Sequence, residues 1–396
     1  MAATSGIASM YAFPWDFHDE GVEKTLATLA DKAGMTEVAV ACVGIAGTYF
    51  LPHNPKRMFY FGEEGALLFK PSANPYQGTR LTAQVAGVVE SAEYLAGIAA
   101  ACREVGLEFT IWMRYCDNPA LGRAFPEYTR QDALGIHHLS QLCPAEPDVR
   151  VFCREVTGDL CRQCAPDGLH IEAASFLPYD RGFIHPAAPA PIASFDRLLL
   201  GLCFCPLCVA AADAAGMDGE GFRRRVATYL RESLPGDPGQ EALLPAPPEM
   251  ITAAFDGELL AYLNARSDVA TSLYEEIAAV ARGEGVRHVR TSLPLPGEMA
   301  LTGLEPSRVL VASDRATAPL PDPDAPERLQ DTRSYLRPGM LLLAAVPPEE
   351  IGTGEALRER LHACRDAGAD GFTFPPYGLL REHQVRAIGE ARSAWI

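Results

Sequence analysis

Residues 147–173 read PDVRVFCREVTGDLCRQCAPDGLHIEA. A helical pattern from Pro147 to about Cys164 gives way to Gly168–Ala173 (GLHIEA), an apolar run of strand length. The same succession recurs along the chain. Ile7–Phe13 is a first apolar run. A helical pattern over Glu20–Ala33 stops at Gly34, a natural left-handed cap, and Glu37–Val43 follows. An Ala-rich helix predicted over Leu81–Val105 stops at Gly106 and leads into Glu108–Met113. Further runs are His288–Leu293, Val309–Ser313, Met340–Val346 and Phe372–Phe374, the last entered through ACRDAGADGF with Gly368 at the cap. Eight strands separated mostly by helices predict an α/β protein, a (β/α)8 TIM barrel whose chemistry sits at the strand C-termini. The rival, a doubly wound open sheet, lacks its Gly-rich phosphate loop after strand one. One barrel domain is expected over 1–396, with long loops after strands two, three and four at about 44–80, 114–146 and 174–250. The Pro-rich stretches 234–249 and 315–327 read as exposed connections.

Composition narrows the function. Of 396 residues 48% are hydrophobic and 21% charged, which supports a packed core. Asp plus Glu number 51 against 34 Lys plus Arg, for a net charge of −17 that repels phosphate backbones, so nucleic acid is not an expected partner. No long apolar run or signal layout is present, and the reading is a cytoplasmic protein with no membrane partner. Eleven cysteines, an odd number in such a chain, argue for thiols that bind metal or pack rather than for disulfides.

Three of them form a C-x-C-x-x-C knot, Cys203-Phe204-Cys205-Pro206-Leu207-Cys208. Three thiols at this spacing suit one tetrahedral zinc, and a fourth ligand would come from Cys143 or from the Cys161–Cys164 pair. Cys42, Cys102, Cys116, Cys153 and Cys364 read as small buried hydrophobes.

The order Cys143-Pro144-Ala145-Glu146-Pro147, helix, strand ending at Glu172, then CFCPLC is similar to the middle of family 42 β-galactosidases. There the fourth barrel strand carries the acid/base glutamate, and a CP-x-x-P cysteine joins three from a C-x-C-x-x-C loop around zinc. The resemblance implies a structural zinc on Cys143, Cys203, Cys205 and Cys208, no organic cofactor, and a homo-oligomer. The wider layout, with LPHNPKR at 51–57, LCPAEPDVR at 142–150 and AGADGFTF through Tyr377-Gly378, resembles alpha-amylase-like and hypothetical glycosyl hydrolase barrels. The chain also departs from the family: strand seven ends LLLAAVPP with Glu349 and Glu350 only later, Ile171 stands where an Asn precedes the acid/base, and Leu139 stands where an Arg precedes the first cysteine by four.

Glu172, at the end of strand four, is the expected catalytic residue, because a carboxyl group delivered into a barrel mouth can protonate a glycosidic oxygen. Its partner carboxylate is expected from Asp16 after strand one or Asp314 after strand six. Tyr11, Trp15, Trp112, Arg114, His170, His185, Arg290 and Tyr377 read as a substrate-binding lining, in which aromatic rings face sugar C–H groups and charged groups bind hydroxyls. A catalytic metal on His170, Glu172 and His185 is the alternative use of those histidines; His53 and Asn54 read equally as substrate binding or a turn. Three functions follow: a glycoside-hydrolase-like enzyme on a small-molecule carbohydrate, a non-hydrolytic sugar-converting lyase, isomerase or epimerase, and a non-catalytic carbohydrate-binding barrel.

Overall fold

The computed structural model describes residues 6–179, 191–239, 246–293, 299–319 and 325–395. Eight parallel strands close into a barrel in sequential order: β1 (Ile7–Ala12), β2 (Glu37–Ala41), β3 (Glu108–Arg114), β4 (Gly168–Glu172), β5 (His288–Ser292), β6 (Arg315–Pro319), β7 (Leu341–Ala345) and β8 (Gly371–Phe374). Pairing of Ile7 with Gly371 through Met10 with Phe374 completes the ring.

The helix Pro147–Cys164 illustrates how one unit forms. Pro147 occupies a first-turn position, where its missing N–H costs nothing, and Asp148 sits at the positive end of the helix. Val149, Phe152, Val156 and Leu160 are buried at helical spacing, each stabilising by roughly 1.5–3 kcal/mol. Ala165, in the left-handed region (φ 44°), ends the helix by donating to the Cys161 carbonyl at 2.8 Å. The Asp167 carboxylate then accepts the Phe109 N–H at 2.8 Å, which sets β4 against β3.

Two elements correct the sequence expectations. Val309–Ser313 is not strand six: Pro306–Ala312 is a helix with Pro306 in its first turn, and it buries Val309 and Leu310 while Val311 is exposed. Strand six is the next segment, RATAP, inside the stretch expected to be an exposed connection. The Ala-rich helix before strand three is likewise short, Ala96–Glu104, so the loop after β2 runs from 42 to 95 and carries a small ribbon, Thr48–Phe50 with Phe59–Phe61. The insertion after β4 builds its own apolar cluster from Phe195, Leu199, Phe204, Phe222, Leu230 and Tyr262. Among the described residues no helix is long and apolar enough to cross a membrane.

Barrel interiors are ordinarily filled with Val, Ile and Leu. Here the lower interior is ionic. Glu37, Glu108, His288 and Arg315 are each the first residue of their strand, and Arg290 is the third of β5. Across the barrel Glu37 pairs with Arg290 and with Arg315 and accepts from Ser9 Oγ at 2.7 Å. Glu108 lies 2.9 Å from Arg315 and 3.4 Å from His288. Burial alone would raise the Glu37 carboxyl, but the two arginines outweigh it and hold it below the usual range. His288 leads in pulling the Glu108 carboxyl down to about 2; burial opposes and Arg315 adds to the effect.

Candidate active site and metal centre

At the other end of the same strands a cavity of about 590 Å³ opens. Tyr11, Trp112, Arg114, His170 and Glu172 all line it, five of the residues expected from the sequence. Arg114 is the last residue of β3, Glu172 of β4 and Ser292 of β5, so each side chain is delivered by a strand end. Glu172 is one third exposed; its Oε2 accepts from Trp112 Nε1 at 2.7 Å and lies 3.6 Å from Arg114 Nε. Oε1 has no protein partner among the described residues, and Glu172 lines the cavity. The next residue, Ala173, is in the left-handed region (φ 54°), and its carbonyl accepts the Cys116 N–H at 2.9 Å.

Beneath Glu172 lies a chain of polar groups, Tyr11, His170 and Ser292. The Arg290 guanidinium acts electrostatically on Tyr11, whose hydroxyl lies 3.2 Å from His170 Nδ1. Burial lifts the Tyr11 pKa; Arg290 opposes, Glu172 adds, and it stands at about 12, so the phenol keeps its proton. Burial, with Arg290 beside it, holds His170 far below the ordinary histidine range, so the ring is neutral. Its Nε2 lies within hydrogen-bond distance of Ser292 Oγ, at 2.8 Å. Ser292 itself lines the cavity.

The remaining expected residues lie elsewhere. Asp314 precedes β6 instead of following strand six, a direct result of the shifted strand. It sits at the opposite end of the barrel, where it accepts the Val289 N–H at 3.0 Å and pairs with Arg282 at 2.9 Å and Arg337 at 3.3 Å. Asp16 is fully buried in the helix after β1, accepting the Phe13 N–H at 2.9 Å, and is absent from the cavity lining. Burial raises its carboxyl to about 7, the Phe13 N–H opposing and Glu20 adding to the shift. Trp15 is core, stacked 4.4 Å from Phe13 and tilted 4.2 Å from Tyr60. Arg290 belongs to the ionic layer, from which it acts on Tyr11 and His170 of the cavity lining. Tyr377 donates to Glu20 at 3.1 Å and, with His53, lines a separate 370 Å³ cavity. Asn54 is a turn residue whose Oδ1 caps Lys56 and Arg57. His185 lies outside the described residues, and with it the alternative metal on His170, Glu172 and His185.

Sequence reasoning missed Ser292 and Asp117. Ser292 ends β5 as visibly as Glu172 ends β4. Asp117, which pairs with Arg114, stands three residues past the end of β3. Glu172 and Asp117 are the carboxylates of the described lining, and both contact Arg114. Strands seven and eight contribute Ala345, Val346, Pro348, Thr373, Phe374, Pro375 and Pro376 and no acid, as the LLLAAVPP ending implied.

The cysteines converge as the motif suggested. Cys143 Sγ lies 3.7 Å from Cys203 Sγ and 3.6 Å from those of Cys205 and Cys208, and all four are buried. These separations exclude disulfides, whose sulfurs sit about 2.05 Å apart. They match the edge of about 3.8 Å expected for a tetrahedron with metal–sulfur bonds of about 2.3 Å. Cys161 and Cys164 are buried in the helix Pro147–Cys164 and play no part in the cluster. A metal here would tie the loop after β3, which brings Cys143, to the loop after β4, which brings the other three. The same two loops meet through the Phe204 N–H, which donates to Gln131 at 2.6 Å.

No family model matches the chain, and no curated protein matches its sequence. Solved structures do resemble it. A β-galactosidase from the haloarchaeon Halorubrum lacusprofundi matches at 15% identity and TM-score 0.57, over 98% of this chain and 57% of that one. A β-galactosidase from Marinomonas ef1 matches at 10% identity and TM-score 0.56, over 98% and 59%. The catalytic domain of a Paenibacillus polymyxa β-amylase matches at 13% identity and TM-score 0.52, over 97% and 95%. The chain thus spans under three fifths of the two galactosidases. At these identities the likeness establishes the fold, a barrel shared with glycoside hydrolases, and leaves activity to the site.

Proposed function

We propose that this protein is a glycoside-hydrolase-like enzyme acting on a small-molecule sugar or glycoside, with Glu172 as its general acid/base. The observation that carries this reading is Glu172 itself: one carboxyl oxygen accepts from Trp112, the other has no protein partner among the described residues, and the residue lines a cavity walled by Tyr11 and Trp112. Aromatic faces suit sugar C–H groups, and Arg114 and Ser292 offer donors to hydroxyls. The four cysteines act as a structural zinc site that braces the cavity's loops and takes no part in the chemistry.

A second reading, non-hydrolytic sugar conversion by proton transfer, is favoured by the acid-free wall of strands seven and eight. Two-carboxylate hydrolysis needs acids about 5–5.5 Å apart for retention or about 6.5–9.5 Å apart for inversion. Asp117 is the acid available for that place. Turnover of a panel of aryl glycosides by the wild type and Glu172→Gln tests the assignment, and an unchanged rate in the variant would overturn it. If the wild type turns over none of the panel but isomerises or eliminates free sugars, the second reading stands. Saccharide binding without either reaction would leave the non-catalytic barrel.

A further inference from the structure

The four-sulfur site poses a charge problem that its ligands do not solve. Four thiolates around a divalent ion carry a net charge of −2, and this cluster is buried, where an unbalanced charge costs many kcal/mol. Two arginines beside it have the converse problem.

Arg130, in the ribbon strand Thr129–Gln131, is 1% exposed. Its Nε donates to Gln141 at 2.6 Å and its Nη1 to the carbonyls of Leu200 and Leu202, just ahead of Cys203. Nη2 has no partner. Arg266, on the helix Glu258–Gly283, is 3% exposed. Its Nη2 donates to the Leu301 carbonyl at 2.8 Å, and its guanidinium lies 4.1 Å over Phe176, which packs against the four cysteines. Nε and Nη1 of Arg266 have no partner. Among the described residues no carboxylate forms an ion pair with either arginine. Asp132, whose charge reaches Arg130, is engaged by His138 at 2.9 Å and by the N–H groups of Leu134 and Ile136. The sulfurs of Cys143 and Cys203 act electrostatically on both arginines, and Cys208 acts on Arg266.

We propose that Arg130 and Arg266 are the counter-charges of the metal centre, two buried cations that balance a divalent ion held by four thiolates. This rests on the four cysteines binding metal and adds residues to that site. It also selects the ion's charge, since a trivalent ion would leave one positive charge unbalanced. The arginines act through the field and through the carbonyls ahead of Cys203, and are positioning residues, not ligands.

Zinc content and zinc affinity, measured by competition with a chromophoric chelator at fixed pH, test the proposal on the full chain. The wild type should bind one zinc. Arg266→Met and Arg130→Met should each weaken zinc binding by about 10–100-fold, the usual effect of disturbing groups around a metal's ligands. Arg266→Lys, which keeps the charge, should stay within a few-fold of wild type. Equal losses in the Lys and Met variants would mean packing and overturn the proposal, as would unchanged affinity in both Met variants. Should Arg130→Met fail to fold, the Arg266 pair decides. A wild type that binds no metal would bring down the metal site itself, an outcome distinct from a zinc protein indifferent to its arginines.

Discussion

The two ends of the barrel's interior use the same residue types to opposite effect. At the start of the strands Glu37, Glu108, Arg290 and Arg315 neutralise one another, and Glu37 is fully buried. At their end Glu172 is one third exposed, with one oxygen held and the other without a protein partner among the described residues. Strand β3 contains both conditions, beginning at Glu108 and ending at Arg114. The difference teaches that an ionisable residue on a barrel strand becomes chemically useful when the opposite wall supplies too few partners to satisfy it.

The sharpest way to break the comparison is to neutralise one carboxylate from each end. Glu172→Gln should cut the rate on a responsive substrate by roughly 10²–10⁴-fold and leave the thermal midpoint nearly unchanged. Glu37→Gln should do the reverse, destabilising the fold by roughly 3–5 kcal/mol in urea unfolding, because it leaves the buried Arg290 guanidinium without a carboxylate and Arg315 with Glu108 alone. Equal loss of stability in both variants would erase the distinction between the two ends.

Acid sharpens the same contrast. Glu108 is depressed in the folded state to about 2, so its stabilising contribution is complete above its unfolded value of about 4.3 and is lost as pH falls from there toward 2. Unfolding measured at intervals across that window should show a slope in the wild type that Glu108→Gln flattens. The smallest effect is expected from Asp314→Asn. It weakens contacts with two partly exposed arginines and should cost about 1 kcal/mol of stability while leaving turnover intact. A large loss of activity there would restore Asp314 to the catalytic list.

How much was legible depended on whether a residue's partners lie near it in the chain. β4 and Glu172 were readable because helix, cap and strand follow within one unit, and the sulfur cluster because three ligands share six residues. Strand six was misplaced because VLVAS is more apolar than RATAP. The true strand turns Arg315 and Thr317 inward, where Glu37 and Glu108 lie on strands more than 200 residues away in sequence. Arg290 was assigned to the lining for the same reason: its position on β5 is plain, but Glu37 across the barrel decides what it touches. Trp15 and Asp16 were displaced by a local feature, the helix Pro14–Glu20 that follows β1 directly and carries both into the core.

The ionic layer also keys the alignment of the strands. Ser9 pairs with Glu37, and Glu37 with Glu108, in adjoining registers. Side chains alternate between the barrel interior and the surrounding helices, so a slip of β2 by one residue would turn Glu37 outward and bring Val38 in. Arg290 and Arg315 would then face a valine. A cylinder lined with Leu and Val tolerates such a shift with little more than altered packing; this one has a single alignment in which its charges meet.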